Sequence, residues 1–210
     1  MINNYSPHML KTYQNCPKKF YFQFIEHINM PKSSSPFEKG KKIHALANYN
    51  LQGIKIDKLE NTLTDTEKNI WNLLLGNEYF NKECYKSEFS LSCKINKFWI
   101  GGRIDAIVRD FNRYYILDYK TGSEPQNAQY DFQTIIYLLC IDKYLKNYET
   151  LSFVYINLKD NKNLVINFDN NIKQEYEEKI IKTCTLIDKD KVFKCNKEHC
   201  NTCEYKKICK

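Results

Sequence analysis

An α/β fold with a mixed β-sheet flanked by helices and a cysteine-rich C-terminal clasp is what this sequence predicts. Three observations carry the expectation. Apolar residues recur at helical spacing up to about residue 80, the period changes to alternation from Ser87, and both periods return in turn after Asn127. A chain of 210 residues is long enough for one domain with a sizeable core. We therefore expect a single domain over 1–210, with N-terminal helices over 1–30, a core over 37–187 and the cysteine tail over 193–210.

Ser6-Pro7 is a helix start, a capping hydroxyl before proline at the first helical position. Leu10, Tyr13, Phe20, Phe24 and Ile28 follow at helical spacing, and Pro17 divides the stretch in two. Met30 to Pro36, with two prolines and three serines, reads as a loop. Phe37–Leu51 and Asp65–Phe80 read as helices, the second with Ile70, Trp71, Leu74 and Leu75 on its apolar side. Three antiparallel strands follow: one from Ser87 carrying Phe89, Leu91 and Cys93, then Phe98–Val108 and Tyr114–Tyr119 around a turn at Asp110–Arg113. Asn127–Tyr148 is expected as a helix, Leu151–Leu158 and Leu164–Phe168 as strands, and Asn171–Ile187 as a last amphipathic helix.

Composition narrows the class. With 42% hydrophobic and 14% aromatic residues the chain is expected to bury a core rather than stay disordered. No apolar run approaches the roughly 18 residues of a membrane span, and Met1–Tyr5 lacks a signal peptide's basic flank, so a soluble, cytoplasmic protein is expected. The formal charge of +7 suits a polyanionic partner, but all but three of the 32 basic residues are lysine, in a chain rich in Asn, Ile, Tyr and Phe. That bias would also follow from an AT-rich genome and a solvated lysine surface.

The most informative segment is Gly101–Gly122. If its hairpin turns about Phe111-Asn112, residues whose numbers sum to 223 face each other, which sets Asp105 opposite Asp118 and Arg103 opposite Lys120. Carboxylates that close repel unless a cation lies between them or one is protonated. Oxygen ligands favour a hard ion such as Mg2+ or Mn2+. Solvated charges on an ordinary hairpin would share the pattern, and a one-residue slip would separate the carboxylates. His44, on the helix before the sheet, is either a packing residue or a ligand. Gln133 and Tyr137, one helical turn apart, would share a face.

Nine cysteines, an odd number, argue against a disulfide framework, and four crowd the last sixteen residues. Cys200-x-x-Cys203 can grip one metal. By residue type alone, the leading reading is a zinc site on Cys195, Cys200, Cys203 and Cys209.

Gly40-x-x-x-His44, Gly102-Arg-Ile-Asp105, Asp118-Tyr-Lys120-Thr-Gly and Gln133-x-x-x-Tyr137, in that order, resemble the RecB-like exonuclease branch of the PD-(D/E)XK nuclease superfamily. The opening Ser6-Pro-His-Met-Leu10-x-x-Tyr13-x-x-Cys16-Pro17-x-x-Phe20 is similar to that branch too. The resemblance implies a restriction-endonuclease-like fold and a metal-dependent DNA nuclease that hydrolyses phosphodiester bonds. It implies that His44, Asp105, Asp118 and the carbonyl of Tyr119 bind Mg2+ or Mn2+, that Lys120 positions or polarises the attacking water, and that Gln133 and Tyr137 shape the site. One subset, including the AddB nuclease domain and the exonucleases associated with CRISPR adaptation, carries cysteines spaced as here. This implies a [4Fe-4S] cluster on Cys16, Cys200, Cys203 and Cys209, with Cys195 a bystander. Cys84, Cys93, Cys140 and Cys184 are expected as core or incidental thiols.

The expected activity is exonucleolytic, on single-stranded DNA ends in recombination, repair or phage DNA metabolism. The alternatives are a CRISPR adaptation nuclease trimming captured DNA and, from another class, a non-catalytic DNA-binding or scaffolding module with a structural zinc site. No Walker A signature is present, so a helicase, recombination or CRISPR adaptation partner would supply any motor.

Overall fold

The computed structural model describes all residues except 1, 31–34, 123 and 210, and it leaves the side chains of 35–39 undescribed. Helix α1 (Pro7–Asn15) starts as its sequence dictates, with Pro7 in the first turn and the Ser6 hydroxyl accepting the N–H of Met9. Pro17 opens α2 (Pro17–Phe20), which continues as a π-helical turn over Tyr21–Ile25. Most of the loop expected over 30–36 lies outside the described residues, while Ser35 and Pro36 belong to α3 (Ser35–Leu51).

A short α4 (Asp57–Glu60) has no counterpart in the expectation, and α5 (Asp65–Leu75) starts at a capping box between Thr64 and Glu67. That helix stops at Gly76 instead of running to Phe80. The Asn77 carboxamide oxygen accepts the N–H groups of Tyr79 and Phe80, giving the backbone an alternative to the helical ladder.

Strands β1 (Glu83–Ile95), β2 (Phe98–Asp110) and β3 (Arg113–Lys120) form the antiparallel meander. β1 begins four residues before the expected Ser87. A register shift between Cys84 and Lys86 breaks the alternation there and hides the first residues of the strand from a period-2 reading. Next, α6 (Phe132–Tyr144) is shorter at both ends than expected. Asp131 caps it by accepting the N–H of Gln133, Ala128–Tyr130 form a 3-10 turn, and the chain leaves the helix at Leu145.

This helix is the crossover to β4 (Thr150–Asn157), which pairs parallel to β3; β5 (Lys162–Phe168) then closes the sheet antiparallel to β4. The sheet is mixed, five-stranded and ordered β1-β2-β3-β4-β5. Asp169 caps the last helix, α7 (Asn170–Lys189).

Helices cover both faces. On one, α1, α6 and α7 pack Leu10, Ile135, Leu139 and Ile180 against Ile107 and Ile116. On the other, α3 and α5 pack Ile43, Leu46, Trp71 and Leu74 against Val108 and Leu117. The tail folds back on the N-terminal helices: the Tyr205 hydroxyl donates to the carbonyl of Ile28 at 2.8 Å, and Lys19 pairs with Glu204 at 3.0 Å. Among the described residues no helix is long and apolar enough to cross a membrane.

Candidate active site

The hairpin takes the register whose numbers sum to 223, from Asp110↔Arg113 to Ala106↔Leu117, with Phe111 in the turn at φ 55. One residue further along that register stand Asp105 and Asp118. The Asp105 carboxylate accepts the backbone N–H of Tyr119 at 3.2 Å. From α3, His44 reaches the same place: Nδ1 is 3.2 Å from Asp105 Oδ1, and Nε2 donates to the carbonyl of Tyr119 at 3.1 Å. Burial pulls the imidazole's pKa down, but the hydrogen bond and charge of Asp105, the charge of Asp118 and the Tyr119 carbonyl outweigh it, so the pKa stands above its ordinary value.

Asp118 is buried, and burial pushes its carboxyl up to about 6; Lys120 opposes that rise and Asp105 adds to it. Gln133 on α6 donates to Asp118 Oδ1. Lys120 Nζ lies 2.7 Å from Oδ2 and donates to Gln133 Oε1 at 3.3 Å. Gln133 and Lys120 thus hold the two oxygens of the buried carboxylate, one each. One turn further along α6, the Tyr137 hydroxyl donates to the carbonyl of Arg103 at 2.7 Å. Its ring lies against Gly102, where an added Cβ would stand 2.9 Å from Tyr137 Cε1, so this position needs a residue without a side chain.

Glu88 was not anticipated. Among the described residues, the set of three or more acidic, histidine or cysteine ligand atoms lying within 4.8 Å of one another is His44, Glu88 and Asp105. Asp118 stands outside that set, held by Gln133 and Lys120. Ser87 pairs with Ala106 and Phe89 with Ile104, which puts Glu88 across from Asp105. The signal lay in pairing β1 with β2 about the Asn96-Lys97 turn, a register that runs uninterrupted from Ile95↔Phe98 to Lys86↔Ile107. Lys41, His44, Tyr49, Glu88, Arg103 and Asp105 line an open cleft of about 700 Å³.

At the other end of α1, Cys16 is buried and lines a cavity of about 240 Å³ together with Cys195, Cys200, Cys203 and Cys209. Cys195 and Cys200 have sulfurs 3.6 Å apart, and the Cys195 thiol pushes the pKa of Cys200 up. The Asn196 N–H points at Cys16 Sγ at 3.4 Å. Cys93, Cys140 and Cys184 are core thiols, while Cys84 is half-buried.

Known proteins are similar to this chain over nearly its whole length. The family model of the PD-(D/E)XK nuclease superfamily matches residues 4–210. A curated relative, the CRISPR-associated exonuclease Cas4 of Francisella tularensis subsp. novicida, is 22% identical over 200 residues, covering 92% of this chain and 87% of its own. A solved Eubacterium rectale protein assigned as a candidate exonuclease superposes with a TM-score of 0.63 at 10% identity, covering 99% of this chain and 90% of its own, a likeness of fold.

Proposed function

Because this chain belongs to the PD-(D/E)XK nuclease superfamily, we propose that it is a metal-dependent deoxyribonuclease acting as an exonuclease on single-stranded DNA ends. The observation that carries the reading is the meeting of His44, Asp105, Asp118 and Lys120 at one end of the β2–β3 hairpin. The donor set fits a hard divalent cation. It offers carboxylates, an imidazole and the Tyr119 carbonyl, and His44, Glu88 and Asp105 bring three ligand atoms within 4.8 Å of one another. His44, Asp105, Asp118 and the Tyr119 carbonyl would hold Mg2+ or Mn2+, which supplies Lewis-acid polarisation of a phosphoryl oxygen and a lowered pKa for bound water.

The chain's own residues do the rest. Lys120 sets its ammonium beside Asp118, where it orients the attacking water and stabilises negative charge developing on the phosphate. Gln133 holds Asp118 and Lys120 together through the two ends of one amide, fixing both before substrate arrives. Tyr137 ties α6 to β2 at the carbonyl of Arg103. No covalent intermediate on the protein is required.

The same proposal includes a [4Fe-4S] cluster on Cys16, Cys200, Cys203 and Cys209 as a structural clasp between the chain ends. Cys16 lines one cavity with Cys200, Cys203 and Cys209, so the fold brings the distant N-terminal cysteine to the tail, and this supports the clasp. A zinc site on Cys195, Cys200, Cys203 and Cys209 is the second reading, favoured by the 3.6 Å contact between the sulfurs of Cys195 and Cys200.

Repair, recombination or phage DNA metabolism is the general setting we propose. Trimming of captured DNA during CRISPR adaptation is a second reading, favoured by the likeness to the Francisella exonuclease. Digestion of end-labelled single and double strands with Mg2+ or Mn2+ tests the activity: progressive shortening of single strands supports it, and intact DNA under all conditions refutes it.

A further inference from the structure

We propose that Glu88 is an additional ligand of the site's divalent cation, and that Arg103, now its ion-pair partner, is a phosphate-binding residue set free when Glu88 turns to that cation. The inference rests on the nuclease reading above and adds two residues to it.

Glu88 Oε2 lies 2.9 Å from Arg103 Nε, and the Glu88 carboxylate is also one of the three ligand atoms gathered within 4.8 Å with His44 and Asp105. The same carboxylate is thus within reach of two cations, the guanidinium and the proposed metal. Asp118, buried and paired with Lys120 at 2.7 Å, adds a third carboxylate to the site. Three carboxylates there, from Glu88, Asp105 and Asp118, face the cationic side chains of Lys120 and Arg103 and the imidazole of His44. A divalent ion competes with the guanidinium for Glu88 because two charges close to three carboxylates outweigh one at the rim.

Glu88 also sits at φ 47, a left-handed conformation that costs a residue with a side chain and that glycine adopts freely. Strain of this kind accords with a carboxylate held at a chosen place. Arg103 is suited to the second role. Its backbone is fixed by the Tyr137 hydroxyl at 2.7 Å, while its side chain keeps 69% of its exposure at the cleft, so the guanidinium can turn without moving the strand. Its planar fork matches phosphate oxygens in a way a lysine ammonium does not.

The test is a titration of the metal-free full-length protein with Mn2+, following free Mn2+ by electron paramagnetic resonance, beside cleavage of end-labelled DNA by the wild type. Glu88→Gln and Glu88→Gly are expected to weaken Mn2+ binding by on the order of 10-fold or more. Glu88→Gly should do so with an unchanged or raised Tm, because glycine relieves the backbone, which separates ligand loss from misfolding. Arg103→Ala should tighten Mn2+ binding in the wild-type background and leave it unchanged in the Glu88→Gln background, while weakening DNA binding. A guanidinium acting only as a nearby charge would tighten Mn2+ equally in both backgrounds, and that result overturns the release of Arg103. Wild-type Mn2+ affinity in both Glu88 variants overturns the ligand assignment while leaving the nuclease reading intact. A wild-type protein that neither binds Mn2+ nor cuts DNA overturns the nuclease reading and this inference together.

Discussion

Lys120 Nζ stands 2.7 Å from Asp118 Oδ2, and both belong to alternate residues of β3, so their side chains emerge on the same sheet face. Gln133 then contacts both through one carboxamide, its nitrogen donating to Asp118 and its oxygen accepting from Lys120. The ammonium is held where a phosphate's developing charge would need it. Removing it as Lys120→Ala should lower cleavage by about 100-fold to 1000-fold, the usual cost of losing one electrostatic stabiliser. DNA affinity should stay near wild type, because phosphate contacts come chiefly from other basic residues. The metal-free Tm at neutral pH should fall, because the buried Asp118 loses the ammonium that offsets its burial. Single-turnover cleavage and a DNA-binding titration check this together.

Asp118 makes the metal-free protein less stable than it could be. Its carboxyl is pushed up to about 6 by burial, above the ordinary value of 3.8, so the folded chain binds the proton more tightly than the unfolded chain does. That contribution strengthens the metal-free fold as pH falls from 7 toward 4 and is lost as pH rises through 6, at a cost on the order of 2 to 3 kcal/mol. Asp118→Asn should therefore raise the metal-free Tm at neutral pH and flatten this part of the pH dependence. Mn2+ should raise the Tm of the wild type more than that of the variant. Thermal melts from pH 4 to 8, with and without Mn2+, read all three effects.

Gly102 and Tyr137 are coupled by contact. A methyl at position 102 would stand 2.9 Å from Tyr137 Cε1 and 3.1 Å from its hydroxyl oxygen. Gly102→Ala should cost about 1 to 3 kcal/mol of stability by overpacking and reduce cleavage by displacing the ring that ties α6 to β2. In a Tyr137→Ala background the same change should cost clearly less. Denaturant melts of the four proteins of this double-mutant cycle measure the difference.

For the clasp, Cys16→Ala should remove the brown visible absorbance expected of a [4Fe-4S] cluster and lower the Tm, whereas Cys195→Ala should preserve both. Losing Cys16 opens a loop of nearly the whole chain, while the tail cysteines close only short local loops. Iron, sulfide and zinc analysis of anaerobically purified protein distinguishes the outcomes. Zinc without sulfide, with sensitivity at Cys195 and none at Cys16, would contradict the cluster and leave the nuclease site untouched.

The hairpin was legible in the sequence because alternation and a two-residue turn fix the partner of every residue from Ala106 to Leu117. Ser6-Pro7 likewise declares the start of α1 with no tertiary information. Helix lengths were less legible, since Asn77 and Asp131 redirect the backbone through side-chain hydrogen bonds that periodicity does not register. Glu88 escaped for a different reason. Its proximity to Asp105 depends on the β1–β2 register about the Asn96-Lys97 turn, and its polar position in an alternating strand reads as solvent-facing. The convergence of Cys16 with the tail cysteines carries no local signal at all, and only the resemblance of the opening and closing segments to one nuclease subset suggested it.

The most direct test of the account is the fate of end-labelled single-stranded DNA incubated with the protein and Mn2+, with and without EDTA, beside the Asp118→Asn variant. Stepwise shortening that requires Mn2+, stops with EDTA and is absent in the variant is the predicted result. DNA that stays intact with Mn2+, or cleavage that persists in EDTA or in Asp118→Asn, would contradict the claim that these hairpin carboxylates form the centre of a metal-dependent nuclease.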